Sequence, residues 1–206
     1  MSSPGSAAQT VRDIIEANHY LVLATADAAG RPWSSPVYFA HIELTDFFWV
    51  SSPEATHSRN IAVRPEAGIA IFDSQVPIGA GQGVYMSAVA RLLDEDETAR
   101  GLEAFSRRSV AHGGHEWSSE NVRPDAGLRL FQATADAHWI LAKDGQPDHR
   151  VPVPLRTGRR TGRGRREQGR GKNAMVQQIL AAAGLTEDER ASIDANRVPS
   201  HDEVPR

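Results

Sequence analysis

The sequence YLVLATADAAGRPWSSPVYFA, residues 20–40, predicts two β-strands joined by a tight turn. The first strand is the apolar run Tyr20–Ala26, and Pro32–Ala40 returns as the second. Between them, Asp27–Gly30 has the aspartate and the glycine that are typical of a hairpin turn. Both strands contain β-branched or aromatic residues, which favour extended backbone. The segment therefore predicts an antiparallel β-hairpin.

Further short strands and inserted helices extend this hairpin. Strands are predicted at Phe47–Ser52, Gly68–Asp73, Val84–Leu93, Leu128–Ala133 and His138–Ala142. Helices are predicted at Thr10–Ala17, Glu54–Val63 and Glu95–Ser109. Because the strands follow one another in hairpin order, with no regular alternation of strand and helix, the pattern favours an antiparallel barrel of the α+β class.

The charge distribution divides the chain into three parts. Residues 1–155 contain the predicted strands, whereas residues 156–173 contain eight basic residues, one acidic residue and five glycines. This second segment has no aliphatic or aromatic side chain, so we predict a flexible basic linker. Residues 174–206 are predicted to form a short helical tail with a disordered end. Nucleic-acid binding by the linker is disfavoured, because no aromatic residues are interleaved for base stacking.

The composition excludes several classes of protein. The 206 residues contain no cysteine, which excludes disulfide scaffolds and thiolate catalysis. No apolar run approaches the roughly 20 residues of a membrane span, so we expect a cytoplasmic protein without membrane association. His112, His115 and Glu116 lie beside glycines, which favours a mobile, solvated loop and no metal site. Trp117 in that loop is suited to covering a flat ligand or to fixing the loop against the core.

The segment WVSSPEATHSRNIAVRP, residues 49–65, predicts a binding site for a phosphate monoester. A strand ends at Ser51 and Ser52, and a helix that carries Thr56 and His57 near its start follows. Hydroxyl groups, free helical N–H groups and a histidine that can become cationic together favour an anion at a helix N-terminus. Ser52 is also interpreted as the N-cap of this helix, and the two roles are compatible.

Three segments in this order resemble the pyridoxamine 5'-phosphate oxidase-like, FMN-binding split β-barrel superfamily. They are LATADAAGRPWSSPVYFA (23–40), FFWVSSPEATHSRNIAVRPEAGIAIFD (47–73) and GQGVYMSAVARLLDEDE (81–97). The resemblance covers Asp13–Leu155. It implies an α+β, mainly antiparallel split β-barrel with flanking helices. It also implies a homodimer with two flavin sites at the subunit interface.

The resemblance further implies which residues hold FMN. In relatives the backbone of the second strand lies under the flavin ring, which corresponds here to Ser35, Pro36, Val37 and Tyr38. The region that binds the phosphate corresponds to Val50, Ser51, Ser52, Thr56, His57, Ser58 and Asn60. A second subunit is expected to touch the ring through Gln82, Gly83 and Val84. No catalytic side chain is assigned, because the flavin itself carries the redox chemistry.

Two departures from the family pattern narrow the expected activity. Thr56 and His57 stand where relatives often have Arg-Lys, so a cationic phosphate clamp needs a raised pKa of His57 or the side chain of Arg59. Ala40 replaces a lysine of the authentic oxidases, and the segment ADAHW (135–139) lacks their Arg-x-His pattern. The expected substrate is therefore not pyridoxamine phosphate.

The resemblance thus implies an FMN-dependent oxidoreductase that transfers hydride to or from a small substrate. Trp117 is the first candidate for covering the reactive face of the ring. Trp139 is a second, although its place on a strand is more typical of a core aromatic. Two alternatives stay open: a deazaflavin-dependent reductase of the same fold, and a flavin- or haem-binding protein without turnover.

Overall fold

The computed structural model describes residues 4–155, which contain four helices and eight strands. The helices are α1 (Pro4–Ala17), α2 (Thr56–Val63), α3 (Glu95–Ala111) and α4 (Ser119–Val122). The strands are β1 (Tyr20–Ala26), β2 (Pro32–Tyr38), β3 (Ala40–Ile42), β4 (Asp46–Ser51), β5 (Glu66–Phe72), β6 (Gly83–Leu92), β7 (Arg129–Leu141) and β8 (Arg150–Pro152). The predicted linker at 156–173 and tail at 174–206 lie outside the described residues. Within residues 4–155, no helix is long and apolar enough to cross a bilayer.

All eight strands form one antiparallel sheet in the order β2-β1-β5-β6-β7-β4-β3, with β8 paired to β7. Strands β2 and β3 occupy opposite edges of this order, yet only Phe39 separates them in the chain. Because two residue steps span at most about 7 Å, the sheet has to curl until its edges meet. The predicted strand Pro32–Ala40 is accordingly interrupted at Phe39. This topology confirms the predicted α+β split β-barrel.

Alternation along the strands directs one face of each strand into the barrel. On β1, Leu21 and Leu23 are fully buried. Trp49 of β4 is also fully buried and stacks on Phe131 of β7, with ring centroids 5.6 Å apart. Helices α1 and α2 complete this interior cluster with Val11, Ile15 and Ile61. Since burial of one such side chain contributes about 1.5–3 kcal/mol, the barrel interior is the main source of stability.

Helix α3 packs on the outer face of β3, β4 and β7 and forms a second apolar cluster there. Its Gly101 lies against Phe48, where a Cβ atom would come within 2.5 Å of the ring carbons. Glycine therefore permits the close approach of helix and strand. The helix begins after Asp94, whose carboxylate accepts a hydrogen bond from the N–H of Glu97 at 3.0 Å. This packing places the C-terminal end of α3 beside Tyr38 of β2.

One sequence prediction about the strands is wrong. The predicted strands Leu128–Ala133 and His138–Ala142 belong to a single strand, β7. A β-bulge lets the strand continue, because the register against β6 shifts between Ser87 and Ala88. A bulge is defined by the pairing with a neighbouring strand, so the local sequence of β7 does not reveal it.

Candidate functional site

Three predicted cofactor-binding residues meet at one end of the barrel. The imidazole of His57 on α2 lies between two serine hydroxyls. Its Nδ1 is 3.1 Å from Oγ of Ser35 on β2, and its Nε2 is 2.9 Å from Oγ of Ser51 on β4. In a neutral imidazole one nitrogen donates and the other accepts. This Ser-His-Ser cluster therefore ties two strands that are not paired with each other to the start of a helix.

The N-terminus of α2 lies beside this cluster and has no side-chain cap. Its N-cap residue is Ala55, which has no polar side-chain atom to accept from the first helical N–H groups. Ser52 instead accepts from the N–H of Glu54 at 3.2 Å, within a turn that precedes the helix. The interpretation of Ser52 as the N-cap, with the helix starting at Glu54, is therefore wrong. An uncapped helix N-terminus favours an anion.

Burial determines the charge of the Ser-His-Ser cluster. His57 is 7% exposed, and its removal from water lowers the pKa of the imidazole below the usual 6.5. The raised pKa that a charged clamp needs is therefore not found in this structure, and His57 is neutral at pH 7. Arg59 does not replace the charge, because it is exposed and pairs with Glu54 at 3.6 Å. The region thus offers neutral hydroxyl and N–H donors.

The other predicted residues on α2 have different surroundings. Asn60 is buried and donates from Nδ2 to Oγ1 of Thr25 at 3.0 Å, so its amide attaches α2 to β1. Thr56 is half-buried at the first position of the helix. Ser58 is 3% exposed, and its hydroxyl has no hydrogen-bond partner within the described part of the chain. A buried hydroxyl without a partner costs stability unless a ligand satisfies it.

Replacement of Ser58 by alanine is expected to leave the free energy of unfolding unchanged or to raise it by up to about 1 kcal/mol, because the variant buries no unpaired hydroxyl. Thermal unfolding of the protein without added cofactor measures this change. Ser106→Ala is the matched control, since Oγ of Ser106 accepts from the N–H of Trp117 at 2.8 Å. We expect that control to lose about 1 kcal/mol. An equal loss in the Ser58 variant would show that its hydroxyl has a partner.

Side chains of the edge strand β2 divide between its two faces. Ser35 and Val37 point into the barrel, and Val37 packs in the interior cluster. Pro36 is exposed and has no N–H to donate. Tyr38 faces the other way, and its hydroxyl lies 3.0 Å from Nδ1 of His112. A flat ring on this strand would therefore meet backbone groups and Pro36.

The positions expected to touch the ring from a second subunit lie at the start of β6. The amide of Gln82 is engaged within the chain: it donates to the carbonyl of Leu141 at 3.0 Å and accepts from the N–H groups of Gly83 and Leu141. Val84 is fully buried in the barrel interior. Within residues 4–155, no hydrogen bond joins these residues to the Ser-His-Ser cluster. A site shared between the two regions would require a second copy of the chain.

An open pocket of about 440 Å³, here called the α3 pocket, lies where the C-terminal end of α3 faces β2 and β4. Two residues named from the family resemblance, Tyr38 and Val50, form part of its wall. The volume is within the range of roughly 300–1,000 Å³ that is typical of small-molecule sites. Trp139 lies on β7 outside this pocket. The pocket is also lined by His19, Phe105, His112, His115 and Trp117.

Hydrogen bonds tie the loop after α3 to the helix, in contrast to the expected mobile, solvated loop. The hydroxyl of Ser109 donates to the carbonyl of His115 at 2.8 Å, and that of Ser106 accepts from the N–H of Trp117. At Gly114 a Cβ atom would lie 2.5 Å from Oγ of Ser109, so glycine allows the loop to fold back. Trp117 packs against the second apolar cluster and also forms a wall of the α3 pocket.

Histidines reach the α3 pocket from separate parts of the chain. His112 stacks on His19 with ring centroids 3.9 Å apart, and His115 lies 4.5 Å from the ring of Trp117. Desolvation lowers the pKa of His112, and the neighbouring His19 and Arg108 add to the effect. In residues 4–155, no three histidine or carboxylate side chains have an arrangement that could hold a metal ion. The sequence did not indicate His19, because no local pattern links it to the loop after α3.

Buried histidines predict a stability that depends on pH. Burial is the largest cause that lowers the pKa of His41, His57 and His138. Below the unfolded-state pKa of about 6.5, the unfolded chain binds more protons at these positions than the folded protein does. We therefore expect these histidines to contribute fully to stability above about pH 6.5. That contribution is lost as the pH falls through their lowered pKa values in the folded protein.

Urea unfolding between about pH 5 and pH 8 measures this dependence. His57→Gln is expected to make the profile shallower, because one of the groups that resist protonation is gone. His149→Gln, which changes an exposed histidine, should leave the slope as it is. A wild-type stability that does not change across this range would contradict the prediction.

This chain is similar to a known protein family and to several solved structures. The family model described as Pyridoxamine 5'-phosphate oxidase matches residues 7–140. No curated protein matches the chain in sequence. A haem-binding protein from Mycobacterium smegmatis has a similar fold, with 21% identity and a TM-score of 0.57. That likeness covers 74% of this chain and 59% of the other, so the chain spans less than two thirds of this relative's length.

Two further solved structures share the fold. HutZ, the haem storage protein from Vibrio cholerae, is 21% identical, with a TM-score of 0.51 over 62% of this chain and 89% of HutZ. An FAD-binding protein from Mesorhizobium loti is 17% identical, with a TM-score of 0.51 over 65% of this chain and 92% of its own. Identities this low show a common fold and no more. Because the family model spans well over half of the chain and the split barrel agrees with it, this protein belongs to the pyridoxamine 5'-phosphate oxidase-like family.

Proposed function

We propose that this protein is an FMN-dependent oxidoreductase that transfers hydride to or from a small organic substrate. The Ser-His-Ser cluster at the uncapped start of α2 carries the proposal, because it gathers hydrogen-bond donors for a phosphate at a helix N-terminus. Ser51 of the cluster and Val50 of the α3 pocket are neighbours on β4 and point to opposite faces of that strand. Family membership and the fold shared with an FAD-binding protein support a flavin as the ligand.

The residues around the start of α2 fit the phosphate of FMN. A phosphate accepts hydrogen bonds, and this region supplies helical N–H groups, the hydroxyls of Ser51 and Ser58, and the imidazole of His57. The buried hydroxyl of Ser58 is a donor that such a ligand would satisfy. These residues would hold FMN, which supplies hydride transfer when bound. Because the imidazole of His57 is neutral before a phosphate binds, we expect weaker binding than a permanently charged Arg-Lys clamp provides.

The protein itself would position the flavin ring and the substrate and exclude water from the space between them. The backbone of residues 35–38 on the edge strand β2 offers a flat surface to a ring, and Pro36 brings no competing N–H. Beside it, Phe105 and Trp117 present aromatic walls to the α3 pocket. A substrate held between these surfaces is shielded from bulk water, which suppresses loss of the reducing equivalents to side reactions.

We further propose a homodimer that uses the outer face of β1, β5 and β6. Tyr20 (61% exposed) and Phe72 (51% exposed) lie on the adjacent strands β1 and β5, and Val89 (49% exposed) lies on the same face at the other end of β5, opposite Glu66. Neighbouring exposed apolar residues on one sheet face are typical of an interface. Sedimentation of the FMN-loaded protein across a dilution series tests this, since dissociation should release FMN from a shared site. A monomer that retains FMN fully would refute the shared site.

The absorbance spectrum of freshly purified protein, with the mass of the ligand that heat releases, tests the cofactor. We expect the two absorbance bands of a flavin and the mass of FMN. Release of a deazaflavin would support the deazaflavin-dependent reductase instead. If the protein is colourless, and added FMN or deazaflavin leaves its melting temperature unchanged, the proposed function is refuted. Bleaching of the bound flavin by NAD(P)H and its recovery with an organic acceptor would demonstrate turnover.

Haem binding without turnover is the second candidate function. The observation that favours it is the set of three imidazoles around the α3 pocket, His19, His112 and His115. Imidazole is a common axial ligand of haem iron, and two proteins with a similar fold are described as haem proteins. A haem absorbance band in the purified protein, together with failure to take up FMN, would select this function.

The proposed substrate is not pyridoxamine phosphate. Ala40, at the position where the family resemblance predicts a substrate-binding lysine, is 1% exposed. Its methyl group packs in the second apolar cluster, so no charged group is present there to bind a substrate phosphate. We expect no oxidation of pyridoxamine 5'-phosphate by the FMN-loaded protein in an oxygen-consumption assay.

A further inference from the structure

We propose that the α3 pocket binds a planar aromatic carboxylate and is the substrate site of this enzyme, an assignment that rests on the proposed function. The pocket combines aromatic ring surfaces with imidazole and phenol groups. Among the described residues, no aspartate or glutamate lines it. This combination is suited to a flat apolar body that carries one anionic group.

A connected series of rings forms the apolar part of the α3 pocket. Phe105 contacts Tyr38 edge to face with centroids 5.5 Å apart, and Trp117 packs on Phe105 in the same way at 5.4 Å. Tyr20 meets Tyr38 in a third edge-to-face contact at 6.0 Å. Because each ring is held by the next, an aromatic ligand would meet surfaces that are already oriented.

Hydrogen-bonding groups lie at the end of this series. The hydroxyl of Tyr38 is 3.0 Å from Nδ1 of His112, and the imidazole of His112 stacks on His19. A neutral imidazole has one N–H and a protonated imidazole has two, whereas the phenol adds an O–H. Two stacked imidazolium ions would repel each other. A carboxylate beside them relieves this repulsion, so the anionic end of a ligand is expected at the stacked pair.

Two charged residues behind the pocket have opposite effects on the pKa of His112. Arg108 and Glu16 form an ion pair at 3.0 Å. The guanidinium of Arg108 lowers the pKa of His112, and the carboxylate of Glu16 raises it. The pocket group whose pKa these two charges influence is therefore His112, which lies beside the hydroxyl of Tyr38. A bound carboxylate favours the protonated imidazole, so binding should take up a proton and weaken as the pH rises.

Calorimetric titration of the full-length protein with 2-naphthoate and its neutral analogue 2-naphthamide tests this assignment. We expect 2-naphthoate to bind about tenfold more tightly than 2-naphthamide near pH 6, as charge-assisted hydrogen bonds predict. The preference should decrease toward about pH 8, where the imidazole of His112 is neutral. Titration in buffers of different ionisation enthalpy should detect the uptake of a proton.

Variants identify the groups that bind the carboxylate. Tyr38→Phe and His112→Phe keep the ring surfaces but remove hydrogen-bonding groups, so each should lose most of the preference for 2-naphthoate. His149→Phe is the matched control, because His149 is exposed in the connection between β7 and β8, away from the pocket lining. It is expected to bind both ligands as the wild type does.

Four outcomes are decisive. Equal affinity for 2-naphthoate and 2-naphthamide, or an unchanged preference in both pocket variants, would overturn the proposal. Competition between FMN and 2-naphthoate would also overturn it, because the pocket would then belong to the flavin. Selective 2-naphthoate binding by a protein that takes up no FMN would confirm the anion site while refuting the oxidoreductase function.

Discussion

Replacement of Arg108 by alanine is expected to lower the free energy of unfolding by about 2–3 kcal/mol, because its side chain is only 13% exposed and hydrogen bonds from a charged group contribute about 1.5–3 kcal/mol. The guanidinium joins α3 to the C-terminal end of α1, donating to the carbonyls of Ile15, Glu16 and Asn18 at 3.1, 3.4 and 3.0 Å. It also pairs with the Glu16 carboxylate and lies 5.0 Å from the centroid of the Phe39 ring. The alanine variant leaves these helix-terminal carbonyls without their partner.

Urea unfolding of Arg108→Ala beside Arg107→Ala tests this prediction. Arg107 is the neighbouring residue on the same helix, its side chain is 71% exposed, and it pairs only with Glu103 at 3.8 Å. Its replacement should therefore cost less than about 0.5 kcal/mol. Arg108→Lys keeps the charge but loses the planar fork of donors, so we expect an intermediate loss. Equal effects of the two alanine variants would contradict the role assigned to Arg108.

Replacement of His57 by alanine is expected to weaken FMN binding by about 1–2 kcal/mol, a rise of roughly 5- to 30-fold in Kd. The imidazole is the only side chain that touches both serines of the Ser-His-Ser cluster in the described structure. Its loss leaves Ser35 and Ser51 without their shared partner, and in the proposed site it also removes one donor to the phosphate. Quenching of FMN fluorescence during titration measures the change in Kd.

A structural effect of the His57 variant has to be separated from lost contact with the phosphate. His57→Gln retains a hydrogen-bonding group, so it should recover part of the affinity. His41→Gln is the matched control, because His41 is another buried histidine whose imidazole faces Glu16 rather than the cluster. We expect that control to change stability and to leave the Kd for FMN as it is. An unchanged Kd in His57→Ala would remove the imidazole from the cofactor site.

Local sequence patterns were sufficient to predict the strands and helices that bury one face against the core. The apolar run Tyr20–Ala26 predicts β1, and the structure has the strand with the same bounds. The patterns failed where neighbouring strands decide the outcome. The bulge in β7 follows from its register with β6, and Phe39 ends β2 because the chain crosses there between opposite edges of the sheet. Neither feature leaves a periodic signal within its own segment.

In the candidate site, too, local sequence patterns predicted some features and missed those that depend on distant residues. Ser51 and His57 were predicted because hydroxyl and imidazole groups at a helix start favour a phosphate. The neutral state of His57 was not predicted, since its pKa depends on burial by residues that are distant in the chain. The sequence likewise did not show that Ser52 caps a turn, because Ser52 precedes both the turn and the helix.

By itself, the amino-acid sequence determined the antiparallel α+β class and the family. Those depend on short-range periodicity and on residue types close together in the chain. The tertiary structure alone decided that His19, Tyr38, Phe105, His112 and Trp117 form one pocket. These residues lie on separate elements and meet only because the sheet curls and α3 packs across its outer face. Their contacts and their pKa values are therefore properties of the closed barrel.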